Sequence, residues 1–163
     1  MAEVSIRPYE SDDPVVRINE RALREAGGFV DPDEFPDDVE LDADLRDVEG
    51  HYLDAGGCFL VAEVTAGTGD ARVVGTAAFS PMNRDVVEVT RMRVLPEYQG
   101  RGIGRRLLQE LETAAEERGF TEFVLDTAPQ LEAAQALYES EGYETKGFVE
   151  TPWSDLVIYR KRS

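Results

Sequence analysis

The feature that most limits what this chain can become is the run Gln99-Gly100-Arg101-Gly102-Ile103-Gly104. It lies between the longest β-branched stretch, Val86 to Leu95, and a helical pattern marked by Ile103, Leu107, Leu108, Leu111, Ala114 and Ala115. A glycine-rich turn from strand to helix lets backbone N–H groups converge on an anion at the positive helix end. The junction therefore reads as a phosphate site in an α/β chain. That physics does not name the ligand.

A P-loop is excluded, because no Gly-Lys-Ser/Thr follows the glycines. A dinucleotide-binding unit has more in its favour. The order is strand, glycines, helix, strand, and Asp126 closes the second strand about 20 residues on, where a ribose-binding acid would stand. The glycine spacing is wrong for it: Gly100, Gly102 and Gly104 are followed by Arg105, so G-x-G-x-x-G is absent. Leu95 to Gln99 also intervene between strand and first glycine, where that turn should be tight. The blandest alternative is a turn with no ligand, but glycines weaken a helix start and need a reason to be there.

Around this junction the pattern gives one order of elements. Val4 to Pro8 alternates as a strand, and Val15 to Ala26 is helical, with Val15, Ile18, Ala22 and Ala26 on one face. Asp12 or Asp13 can cap that helix, Pro14 suits its first turn, and Gly27-Gly28 ends it. A second helix is expected from about Leu41 to Leu53, stopping near Gly56-Gly57. Cys58 to Val64 and Arg72 to Ser80 form a hairpin, and Val86 to Leu95 is the next strand. The glycine-loop helix ends at Gly119; a short strand at Phe123 to Leu125, a helix at Leu131 to Ser140 and two strands, Tyr143 to Val149 and Asp155 to Tyr159, complete the chain. The result is a mixed sheet with helices on both faces, in a single domain covering residues 1–163.

The 34 acidic against 17 basic residues give a formal net charge of -17. Such a surface repels nucleic acid and anionic membranes. The acids are spread along the whole chain and only Lys146 and Lys161 are lysines, which favours adaptation to concentrated salt, a halophilic acidic proteome, over an acidic docking patch. No apolar run reaches the ~20 residues of a membrane span and Met1 to Val4 carries no signal pattern, so a cytoplasmic location is expected. The single Cys58 excludes a cysteine metal cluster and lone His51 makes no metal site, so no metal is expected.

The glycine segment resembles the pyrophosphate motif of the GNAT N-acetyltransferase superfamily, Gln/Arg-x-x-Gly-x-Gly/Ala, through Gln99, Gly102 and Gly104. Glu88 to Leu108 is similar to that family's fourth strand, loop and third helix. A second block, Ala133-Ala134-Gln135-Ala136-Leu137-Tyr138-Glu139-Ser140-Glu141-Gly142-Tyr143, resembles its later helix and strand. Leu131 departs from the pattern, since many members have asparagine there. The resemblance implies a mostly antiparallel sheet of about seven strands flanked by four helices and splayed between the fourth and fifth strands. It implies acetyl-CoA as co-substrate, with Met92, Arg93 and Val94 offering backbone groups to pantetheine. Backbone N–H groups of Gln99, Gly100, Arg101, Gly102, Ile103, Gly104 and Arg105 would hold the pyrophosphate, with added charge from Arg101 and Arg105.

A lysine-like amine is protonated at neutral pH, with a pKa of ~10.4, and must lose a proton before attacking a thioester. Strand alternation puts Glu88, Thr90, Met92 and Val94 on one face, so Glu88 can look into the cleft. It also lies where several members of the resembling family place a base, often acting through water. Tyr138 matches the family's general acid for the departing thiolate. A covalent route through Cys58 is disfavoured, because it starts a strand with no histidine near in sequence. The implied reaction is direct acetyl transfer to a primary amine; the alternative is an acyl-CoA-binding sensor without turnover. The acceptor is expected between about Gly27 to Glu40, rich in acids, and Glu150 to Asp155, with Pro152 and Trp153. The sequence names neither the amine, a small molecule's or a protein's, nor the oligomeric state; a homodimer stays open.

Overall fold

The computed structural model describes residues 3–26, 42–152 and 155–163. Their elements are β1 (Glu3–Pro8), α1 (Val15–Ala26), α2 (Ala43–Arg46), β2 (Cys58–Thr65), β3 (Ala71–Pro81), β4 (Val86–Val94), α3 (Ile103–Glu117), β5 (Glu122–Thr127), α4 (Glu132–Ser140), β6 (Glu144–Glu150) and β7 (Asp155–Arg162). The seven strands form one sheet in the order β1-β2-β3-β4-β5-β7-β6. All neighbouring pairs run antiparallel except β4 and β5. The expected mixed sheet, its strand number and its four helices are all present.

The sheet is covered on both sides, which is why β3 is buried from Val73 through Phe79 without alternation. On one side lies α3. Gly75 makes that approach feasible, since a Cβ there would sit 3.0 Å from both the Leu107 side chain and the Arg93 carbonyl oxygen. On the other side lie α1, with Val15, Ile18 and Ala22 buried, and a turn that presents Tyr52 to Phe59 with ring centroids 5.3 Å apart.

That turn corrects the continuous helix expected from Leu41 to Leu53. Helix α2 stops at Arg46, and Glu49–Leu53 form a wide π-type turn instead. The break is at Asp47, whose backbone leaves the helical region (φ -146°, ψ 62°). Its carboxylate accepts the Gly50 N–H at 3.1 Å, a local bond that competes with helix continuation. At the start of α1, Asp13 gives its carboxylate to Arg7 and to the Glu10 N–H. Gly27 to Leu41 and Trp153, which include most of the expected acceptor loops and the Gly27-Gly28 helix stop, lie outside the described residues.

Two irregularities of β4 position everything that follows. It pairs with β5 only from Val86 to Glu88, while continuing beside β3 to Val94; β5 meanwhile continues beside β7 to Thr127. The two strands therefore part company beyond Glu88. The second irregularity is a β-bulge: Thr90 faces Ala78 but Arg93 faces Thr76, three residues of β4 against two of β3. Arg91 takes up the slack at φ 55°, a region that costs a non-glycine residue on the order of 1–3 kcal/mol.

Candidate active site

The bulge overturns the simple alternation expected for β4. Directly paired residues share a face, so Glu88, Thr90 and Arg93 lie on the α1 side, with Ser80, Ala78 and Thr76. Val94 pairs with Gly75 and lies on the α3 side, not with Glu88. What holds the strained residue is a set of polar contacts from three elements. Asp44 of α2 takes the Arg91 guanidinium through both oxygens, at 2.6 and 2.9 Å. Asn19 of α1 accepts from Arg91 at 3.2 Å, and Thr76 of β3 donates to the Arg91 carbonyl oxygen at 2.7 Å. Tyr52 donates to Asp44 at 2.5 Å and bonds Thr90 at 3.1 Å. Burial works against the Asp44 charge, yet the bonds from Arg91 and Tyr52 hold its carboxyl below the usual range. Burial and then the Asp44 charge push the Tyr52 phenol up to about 12.

Where β4 and β5 diverge there is a cleft of about 830 Å³. Its walls include the glycine loop, the α3 start, α4 and the last residues of β4. Gly100 and Gly102 adopt φ 77° and 79°, a conformation that glycine accepts without strain. Gly102 caps α3, and no side chain caps that helix end, so its first N–H groups are left for a ligand. The Gln99 amide donates to the Val94 carbonyl oxygen at 3.0 Å, tying the loop to the strand.

Of the residues singled out in the sequence, Met92, Arg93, Val94, Gln99, Gly100, Gly102, Ile103, Gly104, Arg105 and Tyr138 line this cleft. Leu131 lines it too, at the position that departed from the family pattern. Arg101 does not: its guanidinium lies over the Tyr98 ring and donates to the Glu97 carbonyl oxygen. Arg105 reaches the hydroxyl of Ser140 at 3.0 Å, bridging α3 to α4. Glu88 is half-buried beside the cleft rather than on its wall.

Tyr138 is buried, and burial first, then the negative charge of Asp126, push its phenol up to about 12, while Arg93 pulls it back. It is therefore protonated at neutral pH. Glu88 moves upward as well, because burial disfavours its charge and Asp126 adds repulsion. Asp126 is exposed overall, yet partial burial of its carboxyl raises its pKa, with Arg93 opposing. Asp126 shares a face with Val124, the partner of Glu88, so the two carboxyls stand on one side of the sheet. Sequence reasoning met Asp126 only as a ribose-binding acid and set it aside with that reading. Strand-end position after the glycine helix was the available signal. Cys58 is buried with its thiol pushed up by burial, consistent with a core residue.

Residues 18–143 match the model of the acetyltransferase (GNAT) family. Human N-acetyltransferase 8B is 31% identical over 116 residues, 68% of this chain and 49% of that protein. The chain thus spans about half the length of the curated relatives it matches. A GNAT-family acetyltransferase from Staphylococcus aureus superposes with a TM-score of 0.80 at 19% identity, covering 98% of this chain and 99% of the other. A Salmonella typhimurium structure assigned as an acetyltransferase, with its cofactor acetyl-CoA, superposes with a TM-score of 0.71 at 25% identity, covering 98% and 94%.

Proposed function

The chain belongs to the GNAT acetyltransferase family, and we propose that it transfers the acetyl group of acetyl-CoA directly to a primary amine. The observation that carries this reading is the cleft between diverging β4 and β5, which joins an uncapped helix start to a buried tyrosine. Acetyl-CoA would lie with its pyrophosphate on the N–H groups of Gln99 to Arg105 and its pantetheine along Met92 to Val94. An added strand fits that edge of β4, where the ladder to β5 has ended.

The amine arrives on the α1 side and gives a proton to Glu88, directly or through water. Its nitrogen attacks the thioester carbonyl carbon, the C–N bond forms and the C–S bond breaks. The nitrogen loses its second proton to water, which restores the proton that Tyr138 gives to sulfur. Tyr138 donates its phenolic proton to the departing thiolate. Its raised pKa keeps that proton in place until sulfur needs it. Glu88 suits the opposite task, since its raised pKa makes it a stronger base than an ordinary glutamate.

The net charge of -17 is read as a hydration layer suited to a salt-rich cytoplasm. The chain is read as one domain. Among the described residues no helix is long and apolar enough to cross a membrane. The test is a panel of polyamines, amino acids, aminoglycosides and lysine peptides, incubated with acetyl-CoA and followed by thiol release. Amine-dependent CoA release is expected. Tight acetyl-CoA binding with no amine-dependent release across the panel would turn the reading to an acyl-CoA sensor.

A further inference from the structure

We propose that the Arg93 guanidinium anchors a carboxylate of the acceptor, so that the amine acetylated by this chain belongs to an amino-acid-like zwitterion. The inference rests on the transferase reading above and names the substrate class of that same cleft.

Arg93 is the residue that the bulge turns. Unbroken alternation from Thr90 would set Arg93 opposite Gly75 on the α3 side; with the bulge, it pairs with Thr76, faces α1 and lines the cleft. There its Nε donates to the Asn19 Oδ1 at 2.8 Å and its Nη1 to the Met92 carbonyl oxygen at 2.9 Å. Asn19 is itself buried and fixed by Arg91, so the guanidinium is held in one orientation. Among the described residues its Nη2 has no hydrogen-bond partner, and no carboxylate lies within ion-pair distance of it.

Other described arginines without an ion pair, such as Arg101, Arg106 and Arg118, are exposed, whereas Arg93 is partly withdrawn from water. Acidic residues outnumber basic ones two to one, and Arg7, Arg21, Arg91, Arg160 and Arg162 each hold a carboxylate within 4.0 Å. Taking a guanidinium out of water without an anion is unfavourable, and among the described residues its hydrogen-bond acceptors are both neutral. A ligand carboxylate would complete the site through a charge-assisted bond to the open Nη2. The complementary charges are close by. Glu88 and Asp126 stand on the same face of the sheet as Arg93, and Asp126 is near enough for Arg93 to oppose its upward shift. A cation and two carboxylates on one face match an ammonium and a carboxylate carried by one small molecule. A polyamine would meet Arg93 with like charge.

The experiment titrates the common α-amino acids, and each corresponding carboxamide, into the full-length protein loaded with CoA, by calorimetry. The carboxamide keeps the amine and the side chain but loses the negative charge. At least one acid should bind about tenfold or more tightly than its amide, as a hydrogen bond between charged groups implies. Arg93→Met should bring that ratio close to one, and Arg93→Lys should keep part of it. Equal binding of acids and amides overturns the proposal, as does binding of neither. So does an Arg93→Met variant that weakens acid and amide alike, or that weakens acetyl-CoA alone, since the side chain would then serve the scaffold or the cofactor. The two readings fail separately. Amine-dependent CoA release with polyamines but not amino acids removes the carboxylate anchor and leaves the transferase standing. Selective acid binding with no CoA release from any amine removes the transferase and leaves an Arg93 anion site.

Discussion

The two sides of the proposed site are built from different materials. The proposed cofactor wall is main chain: glycines at positive φ, an uncapped helix start and the open edge of β4. The proposed acceptor wall is side chain: Arg93 lines the cleft, and Asn19, Asp44, Arg91 and Asp126, from α1, α2, β4 and β5, support it or share its face of the sheet. A main-chain wall needs only small residues at set spacing, so it survives extensive change of sequence. A side-chain wall needs particular groups from distant parts of the chain, so it is specific to each protein. The Staphylococcus aureus and Salmonella typhimurium structures share this fold at 19% and 25% identity.

The contrast can be broken at Tyr138, the proposed acid. Tyr138→Phe should lower kcat by ~10²-fold or more, the usual scale for losing a positioned acid, with the dissociation constant of acetyl-CoA little changed. Unchanged turnover across pH would remove the acid role. A smaller effect tests the main-chain wall alone. Gly102→Val forces a β-branched residue to φ 79° and should weaken acetyl-CoA binding by about tenfold while sparing acceptor affinity. Equal loss of both ligands would mean that the walls are not separable.

The smallest effect belongs to the acceptor wall. As the proposed base Glu88 acts in its deprotonated form, so kcat/KM should fall on the acid side as its raised pKa is crossed. Asp126→Asn removes a negative neighbour, makes the Glu88 carboxylate less unfavourable and should move that acidic limb to lower pH. Burial is the larger cause and remains, so the limb should stay above the ordinary glutamate range. A limb that moves upward or not at all would disconnect the two carboxyls.

What could be read from the sequence follows the same division. Element order was legible because periodicity and glycine stops are local: Val15–Ala26 has the bounds expected from its apolar spacing, and α3 starts at Ile103 as the pattern requires. The break at Asp47 was not, because an aspartate inside a helical pattern gives no sign that its carboxylate will bond the Gly50 N–H. The bulge was hidden for a stronger reason. Arg91 has no intrinsic preference for φ 55°; it is held there by Asp44, Asn19 and Thr76, which lie 47, 72 and 15 positions away. Period-two alternation therefore grouped Val94 with Glu88 and missed the direction of Arg93. The backbone roles foreseen for the glycine loop needed only local spacing, whereas Arg93 and Asp126 needed the folded sheet.

The single extra residue at Arg91 also works as a phase shift. Before it, the even-numbered positions Glu88 and Thr90 face α1; after it, the odd-numbered Arg93 does. One short strand can then offer its main chain to one substrate and a charged side chain to another from neighbouring positions. Flattening the bulge with Arg91 retained in the ladder would exchange the faces of everything from Met92 onward, whereas deleting one residue there would restore a regular ladder and leave Arg93 and Val94 on their present faces.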